Sequence, residues 1–177
     1  MACPSRLLVA ISCLVISGCA DSTDQSQSGT ANAAGRQRIH LYVSRLPNKV
    51  QIYYYSLEET PPPGYSPTTD TPELVGGNFF VSATLRPGMV PIYAFTIAAK
   101  TGELVHYLST KKEAPTSFSG GKIQFYAYDT PQPETTPVYL YTTGDSNETQ
   151  VYYYSTSATK PPGLRAEGIV FHVFANK

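Results

Sequence analysis

Tryptophan is absent from this chain of 177 residues, and its three cysteines, Cys3, Cys13 and Cys19, all fall within the first nineteen positions. The remainder of the chain therefore has no thiol for a disulfide framework, a thiolate metal site or a cysteine nucleophile. An excess of charge of either sign is also missing, since 13 Lys and Arg stand against 13 Asp and Glu. Net charge thus implies no nucleic-acid partner. Beyond Cys19 the chain contains no G-x-S-x-G elbow, and its GGN and SGG glycines lack the strand-to-helix context of a phosphate loop. Carboxylates are few and sit mainly in turns and loops, so no acid–base pair stands out. No catalytic residue, metal ligand or cofactor is expected, and no helical period of useful length appears.

What is present begins with a targeting segment. Met1–Arg6 carries one positive charge, Leu7–Ile16 reads LLVAISCLVI, and Ile16-Ser17-Gly18-Cys19 follows. The apolar run is about ten residues, short of the roughly 20 that a helix needs to span a bilayer. Residues 1–18 resemble a bacterial lipoprotein signal peptide, whose apolar–small–Gly/Ala–Cys box ends in a Cys that is acylated. The resemblance implies lipidation of Cys19 and a mature chain without a free thiol. Ala20, in place of Asp, implies no inner-membrane retention, so the expected location is the bacterial cell envelope, lipid-anchored in the outer membrane.

Residues 19–38 then read as the lipidated Cys and a flexible tether, ADSTDQSQSGTANAAGRQR, which is polar and without aromatics. Such a stretch cannot bury enough apolar surface to offset its ordering entropy. About 18 residues of this kind would set the domain some 20–25 Å from the anchor. Residues 39–177 have the size of one domain with its own core, and their short β-branched and aromatic runs between Pro and Gly favour an all-β fold.

The domain repeats itself. A slide of 99 positions lays Ile39–Gly64 on Val138–Gly163 without a gap, matching QIYYYS (Gln51–Ser56) to QVYYYS (Gln150–Ser155). A slide of 46 lays Pro91–Thr110 on Pro137–Thr156, and GKIQFYAY (Gly121–Tyr128) on EGIVFHVF (Glu167–Phe174). Three units result, at 39–84, 91–130 and 137–177. Each has a first strand, a polar turn, a second strand, a loop and a final strand, and Pro-rich linkers join the units. A β-trefoil-like closure is the most economical use of three such units because it removes exposed edges. Propeller-like blades are the alternative, although three are fewer than the usual four to eight.

The segments VPIYAFTIAAKTGELVHYLST and GGKIQFYAYDTPQPETTPVYLY resemble a repeat family of unknown function found in secreted bacterial proteins. Its units read V-Y-R-L/F-Y-N, T-G-D/E-H-F-Y-T and E-G-I-x-F-Y-A, with T-P-x-P-x-T-x-P linkers. The resemblance implies a non-catalytic module for surface or glycan ligands. Leu41, Ala94 and Leu140 replace the family's Arg, and its His survives only at His106.

Strand alternation divides each second strand into two faces. Ile52, Val105 and Val151 with Tyr54, Tyr107 and Tyr153 are apolar or aromatic in every unit, so this face is assigned to the core. The opposite face, with Gln51, Tyr53, Tyr55, His106, Gln150, Tyr152 and Tyr154, is then expected to point outward. A phenol beside an amide suits a sugar, whose C–H groups stack on the ring. Those seven residues are the expected ligand site, for a polysaccharide or cell-wall glycan. The same rings could instead form cross-strand pairs that stabilise the hairpins. The missing Trp counts modestly against glycan binding. A surface protein partner is the second expectation, prompted by the Pro/Thr-rich loop Pro61–Leu74.

Overall fold

The computed structural model describes residues 35–46, 50–68, 76–99, 102–143 and 150–175. Cys19 and the signal-like segment lie outside the described residues, as do most of the tether, parts of four loops, among them 69–74 of the Pro61–Leu74 loop, and residues 176–177. Ten strands form one antiparallel system, and no helix occurs among the described residues. The first unit holds β1 (Arg36–Arg45), β2 (Gln51–Ser56), the two-residue β3 (Ser66–Pro67) and β4 (Phe79–Ser82). The second holds β5 (Met89–Ala98), β6 (Leu104–Ser109) and β7 (Ser119–Tyr128), and the third β8 (Thr135–Thr142), β9 (Tyr152–Ser155) and β10 (Arg165–Phe174).

Each unit is built around its first strand, which pairs with both the second and the last. β1 pairs with β2 and β4, β5 with β6 and β7, and β8 with β9 and β10. The last strands also join one another at single bridges, Ser82 to Tyr126, His172 to Tyr128 and Phe174 to Phe80. The second strands β2, β6 and β9 converge at the other end. Three like units therefore close into a nearly complete antiparallel barrel, which leaves few free edges.

Phe79, Phe125 and Phe171, 46 positions apart in succession, meet in the middle. Their rings lie 6.3, 6.3 and 5.8 Å apart at interplanar angles of 71°, 63° and 72°, an edge-to-face triad in which each unit supplies one member. All three are buried, with Val81, Ala127 and Val173 two positions on.

The turns repeat as faithfully. The hydroxyls of Ser56, Ser109 and Ser155 each accept a hydrogen bond from the backbone N–H two residues on, at 3.0 Å in every case. After them, Pro62, Pro115 and Pro161 accept from the N–H three residues on, with Gly64, Ser117 and Gly163 at φ of 83°, 74° and 76°. Glycine fits this left-handed region without a Cβ penalty, and Ser117 holds it as a non-glycine.

β1 starts at Arg36, three residues inside the segment assigned to the tether, because backbone pairing with β4 places few demands on side chains (Arg36 to Ser82, Gln37 to Val81, Arg38 to Phe80). The Arg36 guanidinium lies 4.5 Å over the Phe174 ring and bonds Glu134 at 3.1 Å, so the chain enters the barrel at the end where β8 begins and β10 ends.

Candidate functional site

The tyrosine triplets are contacts between units. The first position of each triplet meets the middle position of a neighbouring unit: His106 stacks on Tyr54 at 3.9 Å, Tyr152 meets Tyr107 at 5.0 Å, and Tyr53 meets Tyr153 at 4.8 Å. A ring contact of this kind thus lies on each of the three seams. The third position turns inward, where Tyr55, Leu108 and Tyr154 are fully buried.

These positions overturn the expected outward face. Tyr53, Tyr55, His106 and Tyr154 are buried, while Tyr54 and Tyr107, assigned to the core, are only half-buried. Gln51 is half-buried and accepts a hydrogen bond from the Tyr53 phenol at 3.1 Å; Gln150 is exposed and precedes β9. The alternation itself is correct, but both faces of a second strand are covered. Tyr53 and Tyr55 enter the main core, and Ile52 packs with Leu46 and Val105 in a second cluster. The assumption of one wet face holds for an open antiparallel sheet and fails for strands that meet at the centre of a closed body.

Tyr152 is the exception. Of the four tyrosines expected to face outward it alone is only half-buried, and its ring forms a trio with Tyr107 and Phe118, at 5.0 Å from Tyr107 and 5.8 Å from Phe118. It is also the end of a cross-strand row, because Tyr152 pairs with Thr142, and Thr142 with Arg165. Residues paired in this way share one face of the sheet. Glu167 joins them: its Oε1 accepts from the Thr142 hydroxyl at 2.6 Å and from Arg165 Nε and Nη2 at 2.8 and 2.7 Å.

The backbone explains how Glu167 arrives there. The β8–β10 register slips between Ala166 and Gly168, so Glu167 is the extra, unpaired residue of a β-bulge, and Gly168 follows at φ 112°. The matching slip in unit two lies between Gly120 and Lys122 and carries Gly121. The fold therefore needs the bulge but not a carboxylate in it. The unit-two row, Ser119–Thr96–His106, keeps the Thr and lacks both charges; Val43 takes the Thr position in unit one, between Ser66 and Tyr53.

The electrostatics follow from these contacts. The Thr142 hydroxyl and the Arg165 guanidinium hold the Glu167 carboxyl below the usual carboxylate range. Burial, then the nearby Tyr107 and Glu167, push the Tyr152 phenol up. His106 is different: burial alone lowers it to about 4, and its Nδ1 has no hydrogen-bond partner among the described residues. Among the described residues no three His, Cys, Asp or Glu side chains gather in a way that could hold a metal ion.

Sequence reasoning missed Arg165, Glu167 and Phe118. Their signal was faint: Phe118 stands where the other units carry Tyr65 and Leu164, and Glu167 where unit two carries Gly121. Compared with protein-family models, with curated proteins and with solved structures, the chain has no match.

Proposed function

We propose that this chain is a lipid-anchored protein of the bacterial envelope whose trefoil-like domain binds glycan without catalysis, at the β8–β9–β10 face of unit three. The observation that carries this reading is the Tyr107–Phe118–Tyr152 edge standing beside the Thr142–Arg165–Glu167 network. Rings offer stacking for sugar C–H groups, and an adjoining fixed set of donors and acceptors suits hydroxyls. The lipobox-like Ile16–Cys19 supports the anchor, and the threefold strand plan supports the trefoil-like closure. Position supports presentation: the chain enters near Thr135 and Phe174, and the proposed site lies at the other end of β8, about 25 Å away at the rise of a strand.

Retention of the full chain on immobilised polysaccharides tests this function. Wild-type protein is expected to be held by at least one neutral polymer, and Phe118→Ala and Tyr152→Ala, checked for intact folding by their melting transitions, to be held less. Equal retention of folded variants would remove the site, and no retention on any polymer would remove the function.

A further inference from the structure

The Glu167 carboxylate is oriented on one oxygen only. Oε1 receives three donors, from Thr142 and twice from Arg165, while Oε2 bonds no described residue. Thr142 is buried at 2 % exposure and Glu167 is exposed, so the network is anchored at its base and open at its rim. The free oxygen is a ready acceptor with a fixed direction, and charge-assisted O–H···O⁻ bonds are the strong ones. Its charge is already matched by Arg165 at 2.7 Å, so the pair as a whole carries no net charge.

Resting on the glycan reading above, we propose that this site selects a neutral pyranose, with Glu167 Oε2 accepting hydrogen bonds from two adjacent sugar hydroxyls while the ring stacks on the Tyr107–Phe118–Tyr152 edge. Oε2 offers two lone pairs, one for each of two vicinal O–H groups. A uronic or sialic acid would bring a second carboxylate against Glu167 and find Arg165 already engaged. An amino sugar would meet the guanidinium. Arg165 is here a positioning residue, because it holds Glu167 ionised and aimed. Unit two, with Gly121 in the same bulge and Ser119 for Arg165, has no carboxylate there and takes no sugar in this manner.

The test titrates the full chain, followed by amide NMR, with neutral hexasaccharides of gluco, manno and galacto configuration, with galacturonic acid hexasaccharide and with glucosamine hexasaccharide. Expected are saturable shifts at 142, 152 and 165–167 for a neutral hexasaccharide, at least tenfold weaker binding of both charged ones, and at least tenfold loss of neutral-sugar binding in Glu167→Gln. Removing the guanidinium in Arg165→Ala is expected to raise the pH at which binding fails on acidification, and Arg165→Lys to restore part of the shift; a merely structural role would leave that pH unchanged. Preference for a charged hexasaccharide, or neutral binding unaffected by Glu167→Gln, would overturn the selectivity while leaving glycan binding standing. Absence of binding by every hexasaccharide and polymer would overturn both.

Discussion

The phenol of Tyr55 grips the backbone of Tyr154, 99 residues further on, accepting from its N–H at 2.7 Å and donating to its C=O at 3.0 Å. Tyr154 does the same to Leu108, at 2.7 Å from the N–H and 3.0 Å to the C=O. Two of three links in a ring about the barrel centre are thus made by phenols. In unit two the ring ends at Leu108, whose side chain has nothing to give, and the Tyr55 carbonyl receives instead the Gln124 amide at 3.5 Å. Loss of a buried phenol leaves a buried donor and acceptor unpaired, so Tyr55→Phe and Tyr154→Phe are each expected to lower stability by about 2–4 kcal/mol in urea unfolding. A loss near zero for both would show that the ring is incidental.

A second phenol pattern makes the opposite prediction. Tyr42 and Tyr141 donate to the carbonyls of Glu58 and Ser157 at 2.6 and 2.8 Å, and the unit-two counterpart is Phe95, whose matching acceptor is Lys111. Phe95→Tyr is expected to add about 0.5–1.5 kcal/mol by supplying the missing bond. An unchanged or lower unfolding midpoint would show that unit two has diverged too far for the bond to form.

How much of this was legible in the sequence depends on the residue. The recurrence itself was, because Phe79, Phe125 and Phe171 stand at constant spacing and the Ser and Pro turns recur with them, but the unit starts were not, since β1, β5 and β8 begin at Arg36, Met89 and Thr135. All-β character was also readable, from short aromatic and β-branched runs between Pro and Gly. Tyr53, Tyr55 and Tyr154 were misplaced because Ile-Tyr-Tyr-Tyr is apolar on both faces, and alternation separates two faces without saying which is wet. An unbroken run of this kind is the mark of a strand covered on both sides. The Thr142–Arg165–Glu167 network was out of reach for another reason. It depends on a one-residue bulge, and nothing in EGIV states where the register slips.

Ser117 offers a test of the turn chemistry. Its φ of 74° is held by glycine in the other two units. Ser117→Gly is expected to raise stability by about 0.5–1 kcal/mol, as relief of the left-handed cost outweighs the added freedom of the unfolded chain. A fall in the melting temperature would contradict it.

His106 gives a pH dependence with a definite sign. Its folded-state value of about 4 lies below the ordinary 6.5 because burial disfavours the cation. Between those values the unfolded chain binds the extra proton, so stability is full above pH about 6.5 and declines as pH falls towards 4, by about 3 kcal/mol. His106→Tyr, which installs the residue of the other two units, is expected to flatten urea midpoints across pH 7 to 4.5 relative to wild type. Parallel pH profiles for the two proteins would show that His106 does not titrate as a buried base.

The proposed ligand edge is Tyr107, Phe118 and Tyr152 with the Thr142–Arg165–Glu167 network, while the other repeat tyrosines serve core and seam contacts. Mapping amide shifts of the labelled full chain on saturation with the neutral polysaccharide fragment that binds best addresses it most directly. Shifts confined to residues about 107, 118, 142, 152 and 165–167 are predicted. Shifts centred elsewhere, on the outer β5–β7 face around Tyr93 and Tyr126 for example, would contradict it.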